Sequence, residues 1–174
     1  FLAPDPSSVL SEEITRLKSV TEMAHSLGIS TSTRVLSLRE EASDESVRSR
    51  LELPEGSTVV VLERVRLAHR EPIIYSIDVF PRSLVVGELR ARDLAGSLIA
   101  VMEGAWGVHL AYSKAIISAV MLGPEFSQRI AVPEGVAWIL MEQVNYDPQD
   151  RPILYSKDYH RGDKFQFRVL RRRR

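Results

Sequence analysis

The sequence predicts an α+β domain: an antiparallel sheet with flanking helices, built from an internal duplication. Two observations carry this prediction. Laid on itself at an offset of about 79 residues, the segment Leu53 to Phe80 resembles Val132 to His160. Pro54, Glu55 and Gly56 recur as Pro133, Glu134 and Gly135, and Glu63 and Val65 recur as Glu142 and Val144. After one inserted residue, Pro72, Ile73, Tyr75, Ser76 and Asp78 recur as Pro152, Ile153, Tyr155, Ser156 and Asp158. A repeat of this length is expected to be one supersecondary unit. The second observation is the order within each copy, a strand, a short helix and then a hairpin. That order implies an antiparallel sheet with its helices on one side and disfavours a doubly wound parallel fold.

In chain order, residues 1 to 8 hold Pro4, Pro6, Ser7 and Ser8 and read as a linker. Residues 9 to 28 read as an amphipathic helix, because Leu10, Ile14, Leu17, Val20, Ala24 and Leu27 recur at helical spacing before Gly28. Repeat one spans 33 to 80: a strand from Thr33 to Arg39, a short helix from Asp44 to Leu51, a β-branched strand from Thr58 to Leu67, a turn, and a strand from Pro72 to Phe80. A connecting helix is expected over 93 to 106, capped by Asp93 and closed near Gly104 or Gly107. Repeat two spans 115 to 160. Its strands run Ala115 to Leu122, Ala137 to Tyr146 and Ile153 to Tyr159, with a helix from Pro124 to Ile130 and a turn holding Asp147, Pro148 and Asp150. A seventh strand is expected from Phe165 to Leu170.

The 174 residues suit one domain with its own core. Twenty-three basic and 23 acidic residues cancel, so no overall field draws the chain to nucleic acid. Cysteine is absent, which removes disulfides, thiolate zinc sites and thiol nucleophiles. No apolar run reaches the roughly 18 residues a membrane span needs, and the expected location is cytoplasmic. His25, His69, His109 and His160 show no ligand spacing, so no metal or other cofactor is expected. The sequence lacks GxSxG, GxGxxG and P-loop patterns.

The residues that stand out are Arg64 and Arg66. Period-two alternation puts them on one face of their strand, roughly 6.6 Å apart, close enough to grip one phosphate or carboxylate. The second repeat has Gln143 and Asn145 there, so the arginines are specialised beyond what the framework needs. A solvated edge-strand pair facing acidic neighbours is the plainer alternative. Ser97 near a helix start suits anion binding or simple capping. Ser76 and Ser156 recur in apolar strands and face either a pocket or a close packing contact. Glu63 and Glu142 are expected to form structural ion pairs, and the run Arg171 to Arg174 reads as a solvated tail.

The segments SVTEMAHSLG, STRVLSLRE, RLELPEGSTVVVLERVRLAHREPIIYSIDVFP, DLAGSLI and RPILYSKDYHRGDKFQF together resemble the UTRA effector-binding domain of GntR-type bacterial transcription regulators of the HutC subfamily. The resemblance implies a chorismate lyase-like fold, a homodimer, and a small anionic metabolite of the phosphorylated-sugar or carboxylate class bound inside the domain. It implies no enzymatic activity, and a repressor role exerted on DNA only through an attached winged helix-turn-helix. FLAPDP looks like the end of that winged domain, with 9 to 174 as the sensor. Ligand-binding roles pass by resemblance to Arg64, Arg66, Thr21 and Ser97, while Ser76, Tyr155, Ser156 and Tyr159 are added as candidate wall residues. Two departures, Ser76 in place of a glutamate and Ile99 in place of a tyrosine, point away from an amino-sugar effector. A chorismate lyase-like enzyme acting on a small carboxylate and a structural dimerisation module are the alternatives.

Overall fold

The computed structural model describes residues 10–13 and 30–169. Its main sheet has six antiparallel strands: β2 (Thr31–Ala42), β3 (Thr58–Ala68), β4 (Glu71–Pro81), β5 (Tyr112–Met121), β6 (Ala137–Tyr146) and β7 (Pro152–Arg161). They lie in the order β2-β3-β4-β7-β6-β5, so the two repeats meet where β4 pairs with β7. Residue Ile77 sits opposite Lys157 at the centre of that pairing, with Ser76 opposite Asp158 and Asp78 opposite Ser156. The duplication thus becomes a pseudo-twofold sheet.

The likeness reaches the backbone. Helix α1 (Glu45–Leu51) ends on Glu52 at φ 50, and helix α3 (Pro124–Ile130) ends on Ala131 at φ 57. Gly56 and Gly135 then take φ 78 and φ 75, a left-handed geometry that glycine adopts without Cβ strain. The Asp44 carboxylate caps α1 by accepting from the Val47 N–H at 2.7 Å. An Asp44→Ala change is expected to lower stability by about 1 kcal/mol, read as a shift of the urea midpoint at unchanged slope.

Helices cover both faces of the sheet, which corrects the expectation of helices on one side. On one face, α1 packs Leu51 with Val59, Val61, Val79 and Tyr155, while α3 packs Ile130 with Val65, Tyr75 and Trp138. The opposite face holds Val60, Leu62 and Phe80 under Leu94 and the helix α2 (Leu98–Ala105), through Leu98 and Met102. Strict alternation along β3 supplies apolar side chains to both layers, and so a cover is needed on each.

Strand ends shift by up to three residues, as in β2 and β5, and two elements differ more substantially from expectation. The connecting helix begins at Leu98, capped by Ser97, whose hydroxyl accepts from the Ala100 N–H; Ala91–Leu94 is a separate 3₁₀ turn, so Asp93 caps nothing. Leu10–Glu13, expected to open the first helix, is the strand β1, paired in parallel with β8 (Phe165–Arg168). Pairing with β8 gives these backbone groups ladder partners, and helical spacing alone does not outweigh that. The rest of the first-helix prediction, the linker at residues 1 to 8 and the terminal arginines lie outside the described residues. Beyond β7, Gly162 passes so close to strand β6 that an added Cβ would lie 2.8 Å from the Ala137 carbonyl oxygen. Buried Arg161 ties the end of β7 to Glu71 and Asp163 at 2.7 and 2.6 Å.

Candidate functional site

Strand alternation places Arg64 and Arg66 of β3, Ser76 and Asp78 of β4, Ser156 and Asp158 of β7 and Gln143 of β6 on the α2 side of the sheet. This polar floor lies between two apolar clusters. One is the Leu62, Phe80 and α2 layer, and the other groups Ile73 and Ile74 with Phe165.

At the pseudo-twofold the floor is cross-braced. The Ser156 hydroxyl donates to Asp78 Oδ1 at 2.8 Å, and the Ser76 hydroxyl donates to Asp158 Oδ1 at 2.5 Å. Each serine therefore serves the aspartate of the other repeat. The symmetry stops at the next strands out. Arg64 forms a buried ion pair with Asp78, Nη2 to Oδ2 at 2.6 Å, and its Nη1 donates to the carbonyls of Leu94 and Gly96 at 3.2 and 3.0 Å. In the second repeat Gln143 donates to Asp158 Oδ2 at 3.3 Å, and Asn145 donates to the Leu154 carbonyl.

Charge is concentrated here. Arg66 is 5 % exposed and donates to the Thr33 hydroxyl at 3.4 Å. Burial, aided by the neighbouring Arg64 charge, brings its guanidinium down to about 10, so it stays a cation at neutral pH. Asp158 is half-buried, and burial together with the Asp78 charge pushes its carboxyl up to about 6. A raised carboxyl favours the folded state in its protonated form, a contribution present at acid pH and lost as pH rises through about 6. Buried His160, beside Phe165 and Phe167, is brought down to about 4 by burial and is neutral.

The UTRA domain profile matches residues 26–166 of this chain. The chain belongs to the UTRA domain family. Among similar proteins is the HTH-type transcriptional regulator GgaR of Escherichia coli, 26% identical over 125 residues, covering 71% of this chain and 48% of the relative. The chain spans about half the length of the curated relatives it matches. Among solved structures, PhnF from Mycobacterium smegmatis superposes with TM-score 0.84 at 19% identity, covering 95% of this chain and 73% of that one. The effector domain of PhnF gives 0.83 at 19% identity, over 94% of this chain and 99% of that one. A GntR-family transcriptional regulator from Enterococcus faecalis gives 0.71 at 24% identity, over 80% of this chain and 99% of that one. These likenesses establish the α+β fold. The relative and the solved structures named here are transcriptional regulators or, for PhnF, an effector domain.

Of the residues singled out in the sequence, the structure brings together Arg64, Arg66, Ser76 and Ser156, with Ser97 next to the Gly96 carbonyl that Arg64 holds. Thr21 lies outside the described residues. Tyr155 and Tyr159 point from the other face of β7. The Tyr155 hydroxyl donates to Glu142 there, under the Arg50 guanidinium, and the ring lines a cavity of about 300 Å³ shared with Lys114 and Tyr146. Tyr159 packs against Tyr75 and Phe126. Along β7 the odd-numbered tyrosines alternate with Ser156 and Asp158, and period two sends them to the opposite face. Asp78 and Asp158 were missed as site residues, although the repeat paired them and alternation aligned them with Ser76 and Ser156.

Glu63 and Glu142 are the structural ion pairs expected of them. Glu63 accepts from Arg39, Tyr75 and Arg129, and those bonds outweigh burial to hold its carboxyl below the usual range. Arg129 belongs to repeat two, and its counterpart Arg50 of repeat one reaches Glu142, so the two helices exchange partners across the pseudo-twofold.

Proposed function

We propose that this UTRA domain senses a small anionic metabolite held over Arg66 and the Arg64–Asp78 pair, and that it sets the DNA affinity of a repressor through an attached winged helix-turn-helix joined by residues 1 to 8. The observation that carries the reading is the broken symmetry of the polar floor. Strands and left-handed helix ends repeat closely, yet one repeat has two buried arginines where the other has two amides. A buried guanidinium pair suits a bidentate oxyanion better than a purely structural layer, which the amides of the second repeat already satisfy.

Arg64 links the floor to α2 through the carbonyls of Leu94 and Gly96, so an effector here would favour one placement of α2 over another. It can shift DNA affinity only by its differential affinity for the two arrangements. The reading includes a homodimer, supported by Ile116, Ile117 and Met121 standing exposed on the edge strand β5.

The test is thermal unfolding against a panel of phosphorylated sugars, carboxylates and phosphonates. A ligand at a hundredfold excess over its dissociation constant adds about 2.7 kcal/mol of apparent stability. Arg66→Ala is expected to abolish the shift. A ligand that stabilises wild type and Arg66→Ala alike would place the site elsewhere.

A further inference from the structure

The charges of the floor are unequally partnered. Arg64 serves Asp78 and two carbonyls, whereas Asp158 accepts only from Ser76 and Gln143; among the described residues no basic nitrogen lies within ion-pair distance of it. Asp158 is also the charged member of the cluster that solvent still reaches, while Arg64, Arg66 and Asp78 are closed off. A carboxylate has room for about four hydrogen bonds, and this one uses two. Two strands away, across Ser76, the buried Nε–H of Arg64 has no acceptor among the described residues. The floor therefore presents an acceptor-rich corner at Asp158 and a donor-rich corner at Arg64 and Arg66.

We infer that the effector is a zwitterion, with an ammonium group set on Asp158 and an anionic group set against Arg64 and Arg66. This rests on the effector-site reading above and goes beyond it by naming the second charge. The two guanidiniums of the floor only balance Asp78 and Asp158, so a simple anion would leave the site with an uncompensated negative charge. An ammonium supplies the donors that Asp158 lacks and relieves the crowding of the two aspartates.

Titration follows from the groups that face Asp158 from every packed element. These are Arg64 and Arg66 on β3, Ser76 and Asp78 on β4, Gln143 on β6, and Ser156 and His160 on β7. His160 is neutral over the working range and the arginines remain cations, so Asp158 is the group that changes charge. Affinity for an ammonium should therefore fall by up to about tenfold per pH unit below about 6.

Two probe pairs test this, each differing only in an ammonium replaced by a methyl group: O-phosphoethanolamine against propyl phosphate, and γ-aminobutyrate against pentanoate. Titration calorimetry on the whole chain is expected to show the zwitterion of at least one pair binding about tenfold or more tighter, some 1.4 kcal/mol. The pair that binds reveals whether the anion is a phosphate or a carboxylate. Asp158→Asn, which keeps an acceptor for Ser76, should erase the preference, bringing the two members of a pair to within about twofold of each other. The γ-aminobutyrate pair also suits the pH series, because its own charges do not change near pH 6. If Asp158→Asn does not fold, the wild-type preference and its pH dependence decide alone. Equal binding within a pair, lost in Arg66→Ala, would overturn the zwitterion while leaving the effector site in place. Silence from all four probes at millimolar concentration would also overturn it, with the metabolite panel deciding separately on the site.

Discussion

An Arg64→Ala protein will unfold at a markedly lower urea concentration than wild type, with a loss of about 3–5 kcal/mol. The guanidinium is 4 % exposed and closes an ion pair with a carboxylate that is 6 % exposed. Removing it leaves Asp78, among the described residues, with the Ser156 hydroxyl as its remaining side-chain donor and takes the Arg64 bond from two carbonyls ahead of α2. Breaking one side of such a pair is severe because the other charge stays in place without compensation. A domain of this size has about 5–15 kcal/mol of stability in all, so the loss removes a large share of it. A double change, Arg64→Met with Asp78→Leu, should recover much of the loss, since it removes both charges rather than one. A loss below about 1 kcal/mol for Arg64→Ala would mean that the pair is solvated rather than locked. For the same reason effector binding is better tested at Arg66.

Phe80→Ala is the second large effect, at about 3–5 kcal/mol. Phe80 is fully buried, lies tilted against Trp106 at 5.4 Å between ring centroids, and fills the layer between β4 and α2. Its removal leaves a cavity that α2 can close only by moving, and the Leu94 and Gly96 carbonyls gripped by Arg64 lie just ahead of that helix. The variant should therefore lose both stability and effector response, whereas Phe80→Leu should keep most of each. Urea unfolding followed by tryptophan fluorescence reads the first, and the ligand-induced thermal shift reads the second. A Phe80→Ala protein with wild-type stability would mean that the layer is loosely packed.

The repeat made the six-stranded sheet legible before any coordinates, because a duplicated strand, helix and hairpin leaves few ways to pair its strands. The arginine pair was legible from alternation in β3. The sidedness of the helices was not, since the strands VVVLERV and IIYSIDVF are apolar on both faces and periodicity cannot say what covers each. Nor was β1, where four residues with helical spacing found a strand partner 155 residues away, Leu10 opposite Phe165. Asp78 and Asp158 were visible as repeated residues, but that they share one floor depends on β4 pairing with β7, a contact between the two copies that neither copy specifies alone.

The partner exchange of the two arginine-bearing helices has a kinetic consequence. Arg50 meets Glu142 across 92 positions, and Arg129 meets Glu63 across 66. Each helix finds its carboxylate only when the other half of the chain has been built, and such distant closures slow folding. Neither half should therefore persist as an autonomous folding unit. The two halves should gain and lose hydrogen-exchange protection together, as one cooperative transition.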